Sequence, residues 1–303
     1  MPKATPFATG TSAASTPTNG LTLPAPAKLN LMLHITRQRA DGYHELQTLF
    51  QLLDLADRLS FAPDPTLSKA EIILQDTMGI PPEQNLITRA AEALVPFAQQ
   101  PVLIRVTLEK HLPMGGGLGG GSSNAATTLL ALNTIWQCNL TVDRLAAIGQ
   151  HLGADIPLFV RGRSAWAEGI GEALTPVDIP HRWFVVVNPD IIVSTGAIFG
   201  APELTRNSQK TTIRSALEGG GHNDCEPVVR SHYPAIDAML NAMSEFGTAR
   251  LTGTGACGFL SFDTRSQADQ AAQALGHHYR VFTASGINHS PAHKALTAAD
   301  GPN

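Results

Sequence analysis

Six of the seven residues from Gly115 to Gly121 are glycine, interrupted only by Leu118, and the run lies between Pro113-Met114 and Ser122-Ser123-Asn124. A loop with almost no side chains can lay its backbone N–H groups against a bulky anion. The residues after it start a helix. Ser122-Ser123-Asn124 offers capping side chains, and Ala125 to Leu132 continues an apolar helical run. A glycine loop leading into a helix N-terminus is a geometry that holds phosphate. The competing reading is a flexible linker. Linkers carry Ser and other polar residues on both sides, whereas this loop is bounded by an apolar strand and an apolar helix.

Two familiar phosphate motifs fit the loop only in part. Gly115-x-Gly117-x-x-Gly120 satisfies the dinucleotide fingerprint letter for letter. That fingerprint also needs a second strand ending in an acid about 20 residues on. Here a second helical segment, Thr141 to Leu152, occupies that place. Gly116 to Gly121 fits the Walker spacing, but Ser122 stands where the lysine belongs, so the β/γ-phosphate contact is missing.

The 303 residues have room for one large domain or two ordinary ones, and the 43% apolar share supports a real core. With 21 basic against 25 acidic residues, no basic excess points to nucleic acid. Cys138, Cys225 and Cys257 are far apart and odd in number, which fits neither a disulfide framework nor a zinc spacing and suits a reducing cytoplasm. No apolar run is long enough to span a membrane. Nothing in the chain suggests an obligate protein partner. Residues 1–23 are mostly Thr, Ser, Ala, Pro and Gly and read as a disordered leader. Residues 294–303 read as a loose tail. His289 and His293 have helix-compatible ligand spacing, but Pro291 between them argues against a helix, and both read as surface residues.

Along the chain, Ala27 to Ile35 alternates: Ala27, Leu29, Leu31, Leu33 and Ile35 on one face, Lys28, Asn30, Met32 and His34 on the other. That predicts a half-buried strand with a polar face available for chemistry. Asp41-Gly42 marks a turn. Further strands are expected at 46–53, 58–61, 71–74, 102–108, 166–168, 183–188, 250–252, 258–262 and 279–284. Helices are expected at 85–99, in two segments after the glycine loop, and at 195–199, 214–217, 226–231, 235–246 and 267–275. A composition break near Pro176 to Arg182 divides the chain into domains 24–176 and 177–293. Strands and helices mix without strict β-α-β alternation, which favours a two-domain α+β architecture over a doubly wound sheet. A second glycine-rich turn is Gly253-Thr254-Gly255.

If the loop holds a nucleoside triphosphate, phosphoryl transfer also needs a carboxylate at the acceptor hydroxyl, a cation near the transferring group, and Mg²⁺. Asp155 lies in Gly153-Ala154-Asp155-Ile156-Pro157, where Pro157 disfavours helix for Ile156 and so places Asp155 at an element boundary. Lys28 projects from the polar face of the first strand. The ordinary readings of these two are a turn-forming aspartate and a solvated lysine.

Taken in order, five segments carry a resemblance: 26–31 (Pro-Ala-Lys-Leu-Asn-Leu), 39–46 (Arg-Ala-Asp-Gly-Tyr-His-Glu-Leu), 112–126 around the glycine loop, 152–157 (Leu-Gly-Ala-Asp-Ile-Pro) and 251–257 (Leu-Thr-Gly-Thr-Gly-Ala-Cys). The series resembles the GHMP kinase superfamily and, within it, the family of 4-diphosphocytidyl-2-C-methyl-D-erythritol kinases. The glycine loop alone carries only the superfamily; the Lys-Leu-Asn-Leu and Asp-Gly-Tyr-His segments together are specific to this family. The likeness runs from about Pro24 to His293 and leaves the leader outside.

The resemblance implies an N-terminal ATP-binding domain of the ribosomal protein S5 domain 2-like fold and a C-terminal α/β-sandwich substrate domain. It implies ATP-dependent phosphorylation of the 2-hydroxyl of a cytidine-diphosphate-linked methylerythritol, a small-molecule substrate, in the non-mevalonate route to isoprenoid precursors. Carried over residue by residue, Asp155 is the base and Lys28 its partner. Pro113, Met114, Gly115, Gly116, Gly117, Leu118, Gly119, Gly120, Gly121, Ser122 and Ser123 wrap the triphosphate, and Ser123 is the contact to the nucleotide's Mg²⁺, for which no cage of protein ligands is expected. Asn85, Leu86, Ile87 and Lys110 lie along the adenine. Tyr43 and Phe199 stack on the cytosine, His44 reads its edge, and Asn30 and Thr195 face the substrate. Two departures stand out. Gly258 follows Cys257 where relatives more often carry an apolar residue, which is expected to loosen the second glycine turn, and His34 replaces an aromatic found in some relatives.

Overall fold

The computed structural model describes residues 20–299. Two long strands organise it. β1 (Leu21–Gln38) and β2 (His44–Asp64) pair antiparallel from Leu21↔Phe61 to Gln38↔His44. The Asp41-Gly42 turn joins them, with Gly42 N donating to Arg39 O at 3.1 Å. The register shifts between Pro26 and Lys28 and again between Asn30 and Leu33. Such irregularities re-aim side chains, and here they flank Lys28 and Asn30.

The chain continues through β3 (Glu71–Leu74), α1 (Leu86–Leu94), β4 (Leu103–Glu109), α2 (Gly120–Ile135), α3 (Val142–Leu152), α4 (Ile156–Arg161), β5 (Ala165–Glu168) and β6 (Ala173–Pro176). It goes on through β7 (Trp183–Asn188), α5 (Thr195–Gly200), α6 (Ile213–Leu217), α7 (Glu226–His232), α8 (Pro234–Met243), β8 (Arg250–Leu251), β9 (Gly258–Phe262), α9 (Arg265–Leu275), β10 (Arg280–Ile287) and α10 (Pro291–Ala299). The sheet runs β3-β4-β2-β10-β7-β9-β8, with β1 and β5 also on β2 and β6 on β5. β3 and β4 are parallel; the other pairings are antiparallel. This is the mixed α+β architecture expected. None of the described helices is long and apolar enough to cross a membrane.

One core gathers the first half of β1, β2, and α1 to α4 around α2. A second gathers Leu33 and Ile35 of β1 with β7, α5, α7, α8 and α9. A smaller cluster, including Leu29, Leu118, Phe184, Cys257 and Phe259, lies where the glycine loop meets the second glycine turn. β1 therefore contributes to both large cores. α2 is apolar on almost every side and buried along most of its length, as a central helix must be.

Several expectations are corrected. The polar face of β1 is not half-exposed: Lys28, Asn30, Met32 and His34 are all buried. Polar groups can be buried when they are hydrogen-bonded: Lys28 bonds Asn30, Asn30 bonds Thr48, and His34 Nε2 accepts from His222 N at 3.2 Å, while His34 Nδ1 stays without a partner among the described residues. The strands expected at 46–53 and 58–61 are one, because Asp54 to Asp57 stays extended. The helix expected to reach Gln99 ends at Leu94 and passes into a 3₁₀ turn, Val95–Phe97, whose middle residue is Pro96. Asp155 does lie at an element boundary, between α3 and α4, but Ile156 is helical: Pro157 lies in the first turn of α4, where its missing N–H costs nothing. β6 went unread. The tail expected to be loose from Lys294 is largely α10, with Pro291 at its start rather than breaking it. Ala295 and Leu296 of α10 pack on the first core, so the chain's end returns to the N-terminal half. His293 is no surface residue: burial lowers its pKa, and a Cβ on Gly162 would run into its ring. β1 begins at Leu21, inside the span expected to be disordered, while residues 1–19 and 300–303 lie outside the described residues.

Gly258 does not loosen the second turn. A Cβ there would lie 2.8 Å from Leu240 Cδ2 and 2.9 Å from Met243 Sδ, so α8 fills that space. His34 packs against His222, with ring centroids 4.4 Å apart.

Candidate active site

A cleft of about 600 Å³ opens between the first turn of α2, the middle of β1 and the start of α5. Along one wall runs the glycine loop. Gly115, Gly117 and Gly119 all have positive φ, and α2 starts at Gly120 with Gly119 as its N-cap residue. The helix thus begins two residues earlier than the serines suggested. Gly119 has no side chain with which to cap, and Ser123 N is already bonded to Gly119 O at 2.8 Å. The N–H groups of Gly120, Gly121 and Ser122 remain for a ligand, all three on residues lining the cleft. A dipole end with free donors favours an anion.

The second glycine turn clamps the first. Cys257 N donates to Gly116 O at 3.1 Å, and Asn223 Nδ2 holds the second turn through Leu251 O at 2.9 Å and Gly253 O at 2.7 Å. Gly117 has φ +78°, and a Cβ on it would overlap Thr252 O. A Cβ on Gly255 would overlap the Gly117 backbone. Both positions therefore exclude any side chain. Gly255→Ala is expected to weaken ATP binding about tenfold or more and to lower Tm, because backbone cannot yield as a flexible side chain can. Nucleotide titration calorimetry and a melting curve check this.

Lys28 is buried at the floor of the cleft. Its Nζ donates to Asn30 Oδ1 at 2.6 Å and lies 3.4 Å from Asp155 Oδ2. Phe50 places its ring under the same ammonium, 5.4 Å from the centroid. Asn30 Nδ2 donates to Thr48 Oγ1 at 2.9 Å, and Thr48 Oγ1 donates to Met32 O at 2.6 Å. Asn30 N donates to Thr252 Oγ1 at 3.0 Å. Lys28 N donates to Leu118 O at 3.0 Å, which ties β1 to the glycine loop itself. Asp155 holds the N-cap position of α4, yet its side chain caps nothing. Its carboxylate is free to face Lys28 and is one-third exposed to the cleft. Residues 127 positions apart in sequence are thus brought together by the β1 and α4 packing around α2. Asn30 is occupied on both sides of its amide by Lys28 and Thr48, so it orients the lysine.

Asn85, Leu86, Ile87 and Lys110 line the cleft as expected, together with Met78, Ile80 and Gln84. Asn85 is also the N-cap of α1, its Oδ1 accepting from Ile87 N at 3.0 Å. Lys110 Nζ donates to Asp57 Oδ2 at 2.5 Å, and a Cβ on Gly120 would be 3.1 Å from that Nζ. Asp57 Oδ1 accepts from His111 N and Leu112 N, each at 2.8 Å. Sequence reading missed Asp57. A buried carboxylate inside a strand signals a dedicated partner, but the partners lie far along the chain, just past the end of β4. Asp57→Asn is expected to free Lys110 and raise the KM for ATP about tenfold with a smaller effect on kcat, measurable by steady-state kinetics.

Among the loop residues, Pro113 to Ser122 line the cleft. Ser123 does not: it is fully buried, its Oγ without a protein partner. On the opposite side, Thr195 Oγ1 and Thr254 Oγ1 are 2.9 Å apart, and both residues line the cleft with Phe199. His44 stacks on Phe199, centroids 5.3 Å apart at 24°. Burial, and then the charge of Arg206, lowers the His44 pKa. Tyr43 is not brought in; it stands on the turn, 62% exposed. The ring that lies against Phe199 is that of the next residue, His44.

Comparisons with known proteins identify the family. Residues 85–163 match the GHMP kinases N terminal domain, and residues 202–281 match the GHMP kinases C terminal domain. The chain is 51% identical over 277 residues to the 4-diphosphocytidyl-2-C-methyl-D-erythritol kinase of Pseudomonas aeruginosa strain LESB58, covering 91% of this chain and 97% of that protein. It is 52% identical over 281 residues to the enzyme of that name from Marinobacter nauticus, covering 91% and 98%. A crystal structure of 4-(cytidine 5'-diphospho)-2C-methyl-D-erythritol kinase superposes with a TM-score of 0.78 at 33% identity, covering 88% of this chain and 99% of that one. Homoserine kinase from Cytophaga hutchinsonii, at 14% identity and a TM-score of 0.65 over 95% and 99%, shares the fold. Fold, glycine loop and relatives converge: the chain belongs to the GHMP kinases and, within them, to the family of 4-diphosphocytidyl-2-C-methyl-D-erythritol kinases.

Proposed function

We propose that the cleft transfers the γ-phosphoryl of ATP to the 2-hydroxyl of 4-diphosphocytidyl-2-C-methyl-D-erythritol, giving the 2-phosphate and ADP in the methylerythritol phosphate route. The observation that carries this reading is the Lys28–Asp155 pair, 3.4 Å apart at the floor of a cleft whose wall is a glycine loop with free amides.

The glycine-loop amides and the first turn of α2 receive the triphosphate, and Lys110 and Asn85 stand toward the nucleotide. Asp155 accepts a hydrogen bond from the acceptor hydroxyl. Because phosphoryl transfer is largely dissociative, its main task is to orient that oxygen in line with the γ-phosphorus, and it takes the proton as the new bond forms. Lys28, held by Asn30 and seated on Phe50, polarises the hydroxyl oxygen and offsets the charge spreading over the transferring group. Mg²⁺, brought in with the nucleotide, would supply positive charge that neutralises the developing charge on the phosphates. Ser123 Oγ, unpartnered and buried one residue behind the cleft lining at the start of α2, would be its protein contact. At the other end of the substrate, Phe199 offers a stacking face, His44 a polar edge, and Tyr43 a ring on the turn that can close over the base. Thr195 and Thr254 lie between the two ends. The reaction requires no nucleic acid, membrane or protein partner and is assigned to the cytoplasm.

A coupled ADP-release assay tests the reading. ATP consumption is expected only with the cytidylylated alcohol and not with homoserine or mevalonate. Equal turnover of an uncytidylylated alcohol would sink the substrate assignment.

A further inference from the structure

Arg206 lies beyond α5 and is drawn into the site by its side chain. Nη2 donates to Phe199 O at 3.0 Å and to Ala201 O at 2.8 Å, and Nη1 donates to Leu204 O at 3.0 Å. Nε donates to His44 Nε2 at 3.1 Å. A guanidinium carries only donors and keeps its proton. His44 Nε2 must therefore be the acceptor, which leaves a neutral ring with its single proton on Nδ1. Burial and the Arg206 charge both disfavour a second proton on that ring. Among the described residues, the side-chain hydrogen bond of His44 is made at Nε2, and none is made at Nδ1. The neighbouring Glu45 turns away to Arg37. One guanidinium thus braces the backbone under the Phe199 stacking face and chooses which nitrogen of His44 carries hydrogen.

We propose that Arg206 is a positioning residue that holds His44 in the Nδ1–H tautomer, so that a hydrogen-bond donor meets the edge of the pyrimidine and selects cytosine over uracil. Cytosine N3 is an unprotonated acceptor, whereas uracil N3 carries a hydrogen. A fixed donor pairs with the first and opposes the second. A site that commits a buried polar group in this way discriminates strongly, because the wrong base leaves that group unpaired. This inference rests on the cytidine reading of the substrate and adds how the base is told apart.

Two measurements on the full chain test it. In ¹⁵N-histidine-labelled protein, imidazole correlation spectra are expected to show His44 with a protonated Nδ1 and a pyridine-type Nε2 across neutral pH. An Nε2–H pattern in the wild type would overturn the proposal with no variant needed. Calorimetry with CDP and UDP is expected to show a preference for CDP of about tenfold or more. Arg206→Met removes the donor and is expected to return His44 to mixed tautomers, cut the CDP preference to about threefold or less, and raise the KM of the cytidylylated substrate with kcat nearly kept. Arg206→Lys, which can still donate, is expected to restore part of the preference. If Arg206→Met keeps both tautomer and preference, the proposal fails. A wild-type Nδ1–H signature with equal CDP and UDP binding would instead reject the cytidine reading.

Discussion

Asp155→Asn is expected to lower kcat by about 10²–10⁴-fold, the usual contribution of a positioned general base. ATP affinity is expected to stay within a few-fold, because Asp155 lies outside the glycine loop and caps nothing in α4. The carboxamide keeps the shape but can turn an N–H toward either the hydroxyl or Lys28. It cannot accept the acceptor's proton as the phosphoryl bond forms. Single-turnover kinetics with saturating ATP separates this loss from any change in binding. A kcat within tenfold of wild type would remove Asp155 from the reacting centre. Tm should hold or rise slightly, since active-site charges are retained for chemistry at some cost in stability.

Lys28→Ala is expected to lower kcat by about 10²–10³-fold, as removal of one preorganised transition-state donor does, and unlike Asp155→Asn it should also destabilise the protein. Lys28 is almost fully buried and satisfies Asn30 Oδ1 at 2.6 Å. Its loss leaves that oxygen and the Phe50 face without their partner, at a cost of about 1–3 kcal/mol. A fall in Tm beside the fall in kcat is therefore the expected signature, read by calorimetry and steady-state kinetics. Because the pair acts as a unit, the double variant Lys28→Ala with Asp155→Asn should lose little more activity than the worse single variant. Additive losses would mean that the two side chains serve separate steps.

Much of the candidate site was legible because it is local. The glycine loop and the Asp41-Gly42 turn are short segments whose residue types dictate their backbone. The pairing of Lys28 with Asp155 was legible only through the family resemblance; no spacing rule joins a strand residue to one 127 positions later. Pro157 marks the boundary at Asp155 correctly, yet Ile156 is helical because Pro157 lies in the first turn of α4. Pro291 misleads outright: it begins α10, because the first turn needs no N–H from that residue. Asp57 and Arg206 were missed for a different reason. Each is an ordinary polar residue in sequence and becomes a hub only through partners on other elements: Lys110, His111 and Leu112 for Asp57, and His44 with three carbonyls for Arg206.

The sequence by itself determined most of the strongly periodic elements and the anion-binding loop, since these follow from periodicity and from side chains that glycine lacks. Only the tertiary structure decided that the polar face of β1 is buried and that the helix starts at Gly120 rather than at the serines. It also decided that the His44 ring lies against Phe199. These outcomes depend on which distant groups satisfy a buried charge or a free amide, and such partners are set by the packing of β1, β2, α2 and α5 together, not by any one segment.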